Sequence, residues 1–263
     1  MRERLTELEL DFLWESSGLG DLPYPLRARS HGWTLEERAA LRRDVLDDLR
    51  RRGLADDGGR PAPHVEDAFG VLAGAELSLD SVQISAPDAQ PRLAVAAALH
   101  GHGVLAVQEH GILHLEQAPA DGLPGAIVGQ LPGAPRGSEK SITVPLEQLL
   151  SGPGADFMQR RPGGLDGSTA RADDDRKALA RLHAQSRERG GQLGANARGR
   201  AGAKGRSPVL SWFDTETGRY LTQASRGADG RDWIIIAPAD APTLRHRLAE
   251  MLTTAADATV AHI

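Results

Sequence analysis

The side chains best suited to bond-making chemistry are the imidazoles His100, His102, His110 and His114, which suggest a metal site. Their spacing argues against one. If Gly101 and Gly111 are turn glycines, His102 and His110 fall at opposite ends of a strand. Neither a cysteine nor a well-placed carboxylate completes a tetrahedral set, since the chain has no cysteine at all. Solvated turn histidines are the simpler account. Asp173-Asp174-Asp175 precedes a helical pattern, where carboxylates complement the helix dipole and stay in water. There is no Gly-x-Ser-x-Gly elbow, and the glycine-rich stretch 190–206 lacks the Gly-Lys-Ser/Thr ending of a phosphate loop. No nucleophile pairs with a base, so the sequence argues against an enzyme and calls for no cofactor or metal.

The remaining charged feature is basic. Between Arg176 and Arg206 nine Lys and Arg stand against the single acid Glu188, on a chain whose net charge is -5. Arg198, Arg200, Lys204 and Arg206 lie where a hairpin must turn, and such a cluster can hold phosphates. It lacks the interleaved aromatics of a single-strand platform. The N-terminal helices carry no concentrated basic face, so nucleic acid is a poor fit as partner. Arginine far outnumbers lysine, which occurs at positions 140, 177 and 204 alone, as high-GC bacterial coding produces.

The elements around these groups follow a repeated plan. Ala118-Pro119-Ala120-Asp121 returns as Ala237-Pro238-Ala239-Asp240, each time after an apolar run and before apolar residues at helical spacing. Aspartate is a good N-cap, so capping at Asp121 and Asp240 explains the match as well as duplication does. The surrounding elements favour duplication. Capping boxes at Thr6-Leu8-Glu9 and Thr34-Glu37 open helices to about Ser17 and Gly53. Leu22 to Leu26, with two prolines, reads as an extended or edge strand. A helix over 64–72 precedes strands at 77–84, 92–99, 103–109 and 112–117. A strand at Ser141–Val144 and a short helix at 145–150 follow. Residues 152–175 are rich in Gly, Pro, Asp and Arg and read as a flexible linker. A helix over about 175–188, strands at 192–197, 209–214, 218–223 and 232–237, and a last helix complete the chain. The expectation is an α+β fold of two pseudo-symmetric halves, 1–151 and 176–263, each an antiparallel β-meander flanked by helices.

Alternation in the second meander places Leu210, Trp212, Tyr220 and Trp233 on one parity and Phe213, Leu221 and Ile234 on the other. Both faces are apolar, which calls for a second layer, a domain interface or a partner surface. Trp212, Tyr220 and Trp233 suit the core. Phe213, Arg219, Leu221 and Gln223 are the candidate partner contacts, on strand parity. A free sheet edge also leaves room for a homodimer. No apolar run approaches bilayer-spanning length and no secretory signal is readable, which suggests a cytoplasmic protein.

Leu19-Gly20-Asp21-Leu22-Pro23-Tyr24-Pro25-Leu26 after a first helix, then Ser211-Trp212-Phe213-Asp214, Gly218-Arg219-Tyr220-Leu221, Trp233 and Ala237-Pro238-Ala239-Asp240 near the end, resemble the EspG family in their order. The linker and the basic hairpin carry no such resemblance. The resemblance implies a cytosolic chaperone of type VII (ESX) secretion that binds helical PE-PPE heterodimers, covers an aggregation-prone apolar tip and performs no catalysis. The alternative is a noncatalytic regulator or scaffold touching nucleic acid through the 198–206 hairpin.

Overall fold

The computed structural model describes residues 2–86, 88–146, 167–199, 202–227 and 230–260. A short strand the sequence did not announce, β1 (Arg2–Thr6), passes directly into helix α1 (Glu7–Ser17). Thr6 makes that change of state possible. Its hydroxyl accepts from the Glu9 backbone N–H (3.2 Å) while the Glu9 carboxylate accepts from the Thr6 N–H (2.7 Å), closing the capping box. Gly18, at φ 67°, ends the helix in the left-handed conformation. Leu22–Leu26 forms no ladder and instead turns through a cis Tyr24–Pro25 bond. Thr34 caps α2 (Leu35–Arg51), and Pro63 opens α3 (Pro63–Gly74).

The first meander is β2 (Leu77–Ile84), β3 (Arg92–Leu99), β4 (His102–Glu109) and β5 (Ile112–Ala118). Its last two turns are His100-Gly101 and His110-Gly111, with φ values of 48°, 81°, 50° and 74°. Positive φ at both central residues is what a twisted two-residue hairpin requires. After α4 (Leu123–Val128) the chain crosses to β6 (Ile142–Pro145), then runs through α5 (Gly167–His183), β7 (Arg187–Arg198), β8 (Lys204–Arg206), β9 (Leu210–Thr215), β10 (Gly218–Arg226), β11 (Asp232–Pro238) and α6 (Ala241–Val260). Helix α5 thus begins inside the stretch read as linker. Residues 152–166 of that stretch, and most of the short helix expected at 145–150, lie outside the described residues.

The eleven strands of the described residues join one antiparallel sheet in the order β1-β5-β4-β3-β2-β7-β9-β10-β11-β6, with β8 added beside β7. The two meanders meet at β2 and β7, where Leu79 faces Ala195 and Asp80 faces Gly194. On either side the sheet is closed by a strand from elsewhere in the chain: β1 beside β5, and β6 beside β11. A strand from the first 151 residues therefore completes the sheet of the second meander.

Three cores hold the layers. On one face α1, α2 and α3 bury Phe12, Leu13, Leu49 and Phe69 against Leu93, Val95, Leu113 and Leu115. On the other, α4 and α6 bury Ile127, Leu244, Leu248 and Met251 against Leu79, Ala96, Leu193, Trp212 and Leu221. Ala178, Leu179 and Leu182 of α5 cover Ile142, Val144, Phe213, Tyr220, Ile234 and Ile236. Each fully buried leucine contributes about 1.5–3 kcal/mol. The two Ala-Pro-Ala-Asp segments differ in use. Asp240 accepts from the backbone N–H (2.9 Å) and hydroxyl (2.6 Å) of Thr243 and caps α6. Asp121 is exposed, and α4 starts at Gly122 with no side-chain cap.

Candidate partner-binding surface

Which strand residues share a face follows from the ladders. Asp80 pairs with Val95, Val82 with Leu93, Gln192 with Val82 and with Ser211, and Ser211 with Thr222. All lie on the face of α1–α3. By the same registers Phe213, Tyr220 and Ile234, the α5 core, lie on that face too. The helices packed on β2 and β7 are α4 and α6, on the opposite face. Among the described residues, the middle of the first face is thus left between two helical walls. Its floor is β2, β7 and the start of β9, carrying Val82, Ile84, Gln192 and Ser211, with Thr222 of β10 at its border. Gln192 is exposed, Ile84 is 45% exposed, and Val82, Ser211 and Thr222 are half-buried.

Three strands span about 10 Å between outer axes, and a helix with its side chains measures about 10–12 Å across. The open strip is one helix wide.

One end of the strip opens into a groove of about 450 Å³ between Leu22 and Tyr24, Leu72 and Ala73 at the end of α3, and the β7–β8 hairpin. The strip's own charge is buried there. Asp80, 4% exposed, receives both Nη atoms of Arg206 (2.8 and 3.2 Å) and Nδ2 of Asn196 (2.9 Å). The hydrogen bond to Asp80 raises the pKa of Arg206 above its already high value, so the guanidinium stays charged. It lies 5.9 Å from the Tyr24 ring centroid, and Tyr24 is 61% exposed. Gly194 lets this pair lie flat on the sheet, because a Cβ there would stand 2.5 Å from Arg206 Nη2 and 2.7 Å from the Asp80 carboxylate.

The hairpin is fixed from its other side. A Cβ on Gly205 would stand 2.0 Å from the Ala255 carbonyl oxygen of α6, so glycine is what seats β8 on that helix. Arg198 pairs with Lys204 and Asn196 with Arg206. With Gly205 turned to α6, the cations of the hairpin stand on the strip's face.

The four contact residues read from the sequence do not form one patch. Their parity assignment is overturned by the two-residue Glu216-Thr217 turn, which sets Thr215 opposite Gly218, Phe213 opposite Tyr220 and Trp212 opposite Leu221. Trp212 and Tyr220 therefore occupy opposite faces, both buried. Phe213 borders the strip, stacked on Tyr220 (centroids 5.7 Å apart) and covered by the Arg187 guanidinium at 4.6 Å. Leu221 is buried under the opposite layer and Gln223 is half-buried on that same side. Arg219, 3% exposed, grips Asp214 through Nε (2.6 Å) and Nη2 (2.8 Å), donates to the Pro132 carbonyl (2.7 Å), and lies 4.5 Å from the Trp212 ring centroid. It ties the crossover between α4 and β6 to the sheet. Trp233 is half-buried.

The other sequence candidates disperse. His100 and His102 line a cleft with His64, whereas His110 occupies the turn at the far end of β4. Among the described residues no group of metal-ligating side chains comes together. Asp175 and Asp174 pair with Lys140 at 2.8 and 3.9 Å, a structural use. Among the described residues no helix is long and apolar enough to cross a membrane.

The comparisons with known proteins bear on the whole fold. No curated protein sequence matches the chain. Among solved structures, the Mycobacterium tuberculosis type VII secretion system chaperone EspG5, in complex with a PE25-PPE41 dimer, is similar at a TM-score of 0.67. It is 15% identical, with 97% of each chain covered. The EspG family model matches residues 6–250, from the cap of α1 to the middle of α6. The chain belongs to the EspG family.

Proposed function

We propose that this protein is a cytosolic, noncatalytic chaperone that binds helical substrates of a type VII secretion system, PE-PPE-like heterodimers among them, and keeps them soluble for export. The observation that carries the reading is the strip, one helix wide and uncovered among the described residues, on a sheet whose neighbouring surfaces are roofed by helices. A helical tip laid there trades self-association of its apolar side chains for contact with Val82, Ile84 and Tyr24. The backbone of the strip is already rigid in its ladders, so little order is lost on binding. Family membership and the PE25-PPE41 dimer held by EspG5 support the class of substrate. In this reading the halves 1–151 and 176–263 supply the two walls and the 152–175 segment connects them, while Phe213 contributes at the border if Arg187 swings aside.

The regulator or scaffold reading has no comparable support, since the family match and the similar EspG5 structure both favour a chaperone. The test is co-expression with PE-PPE heterodimers encoded beside the same secretion system, followed by size exclusion and mass measurement. A stable complex, with the heterodimer insoluble on its own, is expected. Absence of any complex across those heterodimers refutes the chaperone role.

A further inference from the structure

We infer that Arg198, Lys204 and Arg206 form a cationic clamp at one end of the open strip, selecting helical partners whose apolar tip is flanked by carboxylates. The inference rests on the chaperone reading and adds the chemistry of the client to it. The three side chains share the strip's face because Arg198 pairs with Lys204 and Arg206 with Asn196, while the glycine between the last two faces α6.

Their charge is not spent at home. Asp80 neutralises Arg206 in part, leaving its side chain 43% exposed. The Ala73 carbonyl orients Arg198 without cancelling its charge. Lys204 is exposed and has no ion-pair partner among the described residues. The groove's facing wall offers Asp21 as its one acid. On a chain of net charge -5, three cations gathered beside an apolar aromatic, Tyr24, make a local field opposite in sign to the whole. Such a field attracts carboxylates and disfavours basic tips. Its reach in physiological salt is about 8 Å, enough for residues flanking a docked tip and no more.

The test measures the affinity of PE-PPE heterodimers encoded beside the same secretion system for the wild-type protein, Lys204→Glu and Arg198→Glu/Lys204→Glu, at about 50 mM and about 500 mM salt. A single-stranded DNA oligonucleotide serves as a second probe. The clamp predicts binding about tenfold weaker for the double variant at low salt, a gap that closes at high salt, and a Tm within about 4 °C of wild type after loss of the exposed bond to the Ala73 carbonyl. Lys204→Glu, which removes no described contact, gives a smaller loss in the same direction. Wild-type binding that ignores both charge reversal and salt overturns the clamp and leaves the chaperone reading standing. DNA binding lost on reversal, with heterodimer binding intact, overturns it in favour of nucleic acid. Failure of every heterodimer to bind the wild type refutes the chaperone reading itself.

Discussion

Arg219 separates structure from recognition, because the sequence marks it as a partner contact and the fold buries it. Replacing it with leucine removes two charge-assisted bonds to Asp214 and one to the Pro132 carbonyl. Asp214, with its side chain 2% exposed, then keeps, among the described residues, only the Arg189 Nε at 2.7 Å as its ionic partner. Breaking a buried pair costs about 3–5 kcal/mol. The surviving Arg189 bond sets the expectation near the low end, about 3–4 kcal/mol, or a fall in Tm of about 6–16 °C for a chain of this size. Arg189→Leu costs less, about 1–2 kcal/mol, since that side chain is 30% exposed. The double variant Asp214→Leu/Arg219→Leu recovers part of the loss, because no carboxylate stays buried and Arg189, which loses its partner, is 30% exposed and keeps its bond to the Gly133 carbonyl. Urea melts of the three proteins measure these values, and client affinity of the folded fraction is measured beside them. An Arg219→Leu protein within about 1 kcal/mol of wild type that nonetheless loses its client refutes the reasoning and restores Arg219 to the interface.

Other expectations follow from single contacts. Gly205→Val drives a side chain into the Ala255 carbonyl and lifts the hairpin from α6, costing about 1–3 kcal/mol in chemical denaturation. Asp240→Ala costs about 1 kcal/mol through the lost α6 cap, whereas Asp121→Ala costs about 0.5 kcal/mol or less, despite the identical sequence around them. The hydrogen bonds from the Thr243 side chain and backbone hold the Asp240 carboxyl below its ordinary range. Its stabilisation is therefore full above about pH 4, the unfolded carboxyl's value, and is lost as the pH falls through the lower folded value. Comparing wild type and Asp240→Ala by melting at several pH values checks this. Gln192→Trp fills the floor of the strip from an exposed position; stability within about 0.5 kcal/mol of wild type and client binding weakened more than about tenfold are expected from melting and pull-down titration.

The parts of the fold legible in the sequence were those governed by local chemistry. The Thr6 and Thr34 caps, the His-Gly turns and the alternating strands between them need only neighbours along the chain. β1 escaped notice because Arg2, Glu3 and Arg4 sit on an edge strand, where charge is tolerated and no apolar alternation is needed. β6 is legible as a strand, but its partner β11 lies about ninety residues on, beyond any periodicity. Parity failed at the Glu216-Thr217 turn because alternation fixes faces within a strand and only the ladder fixes them between strands. The candidate surface was hidden for the same reason. Gly194, Ser211, Thr222 and Gln192 are individually unremarkable, and they become a site only when β2 and β7 meet and the two helical walls stop short of them. The basic hairpin was visible as charge, but its direction depended on Gly205 lying against α6.

The most direct measurement is site-specific photocrosslinking of the co-expressed complex, with a photoreactive residue placed at Gln192, at Ile84 or, on the opposite face, at Gln223. Crosslinks to the client from Gln192 and Ile84 but not from Gln223 are the predicted result. Crosslinking from Gln223, with Gln192 and Ile84 silent, contradicts the account and moves the client to the α6 face of the sheet.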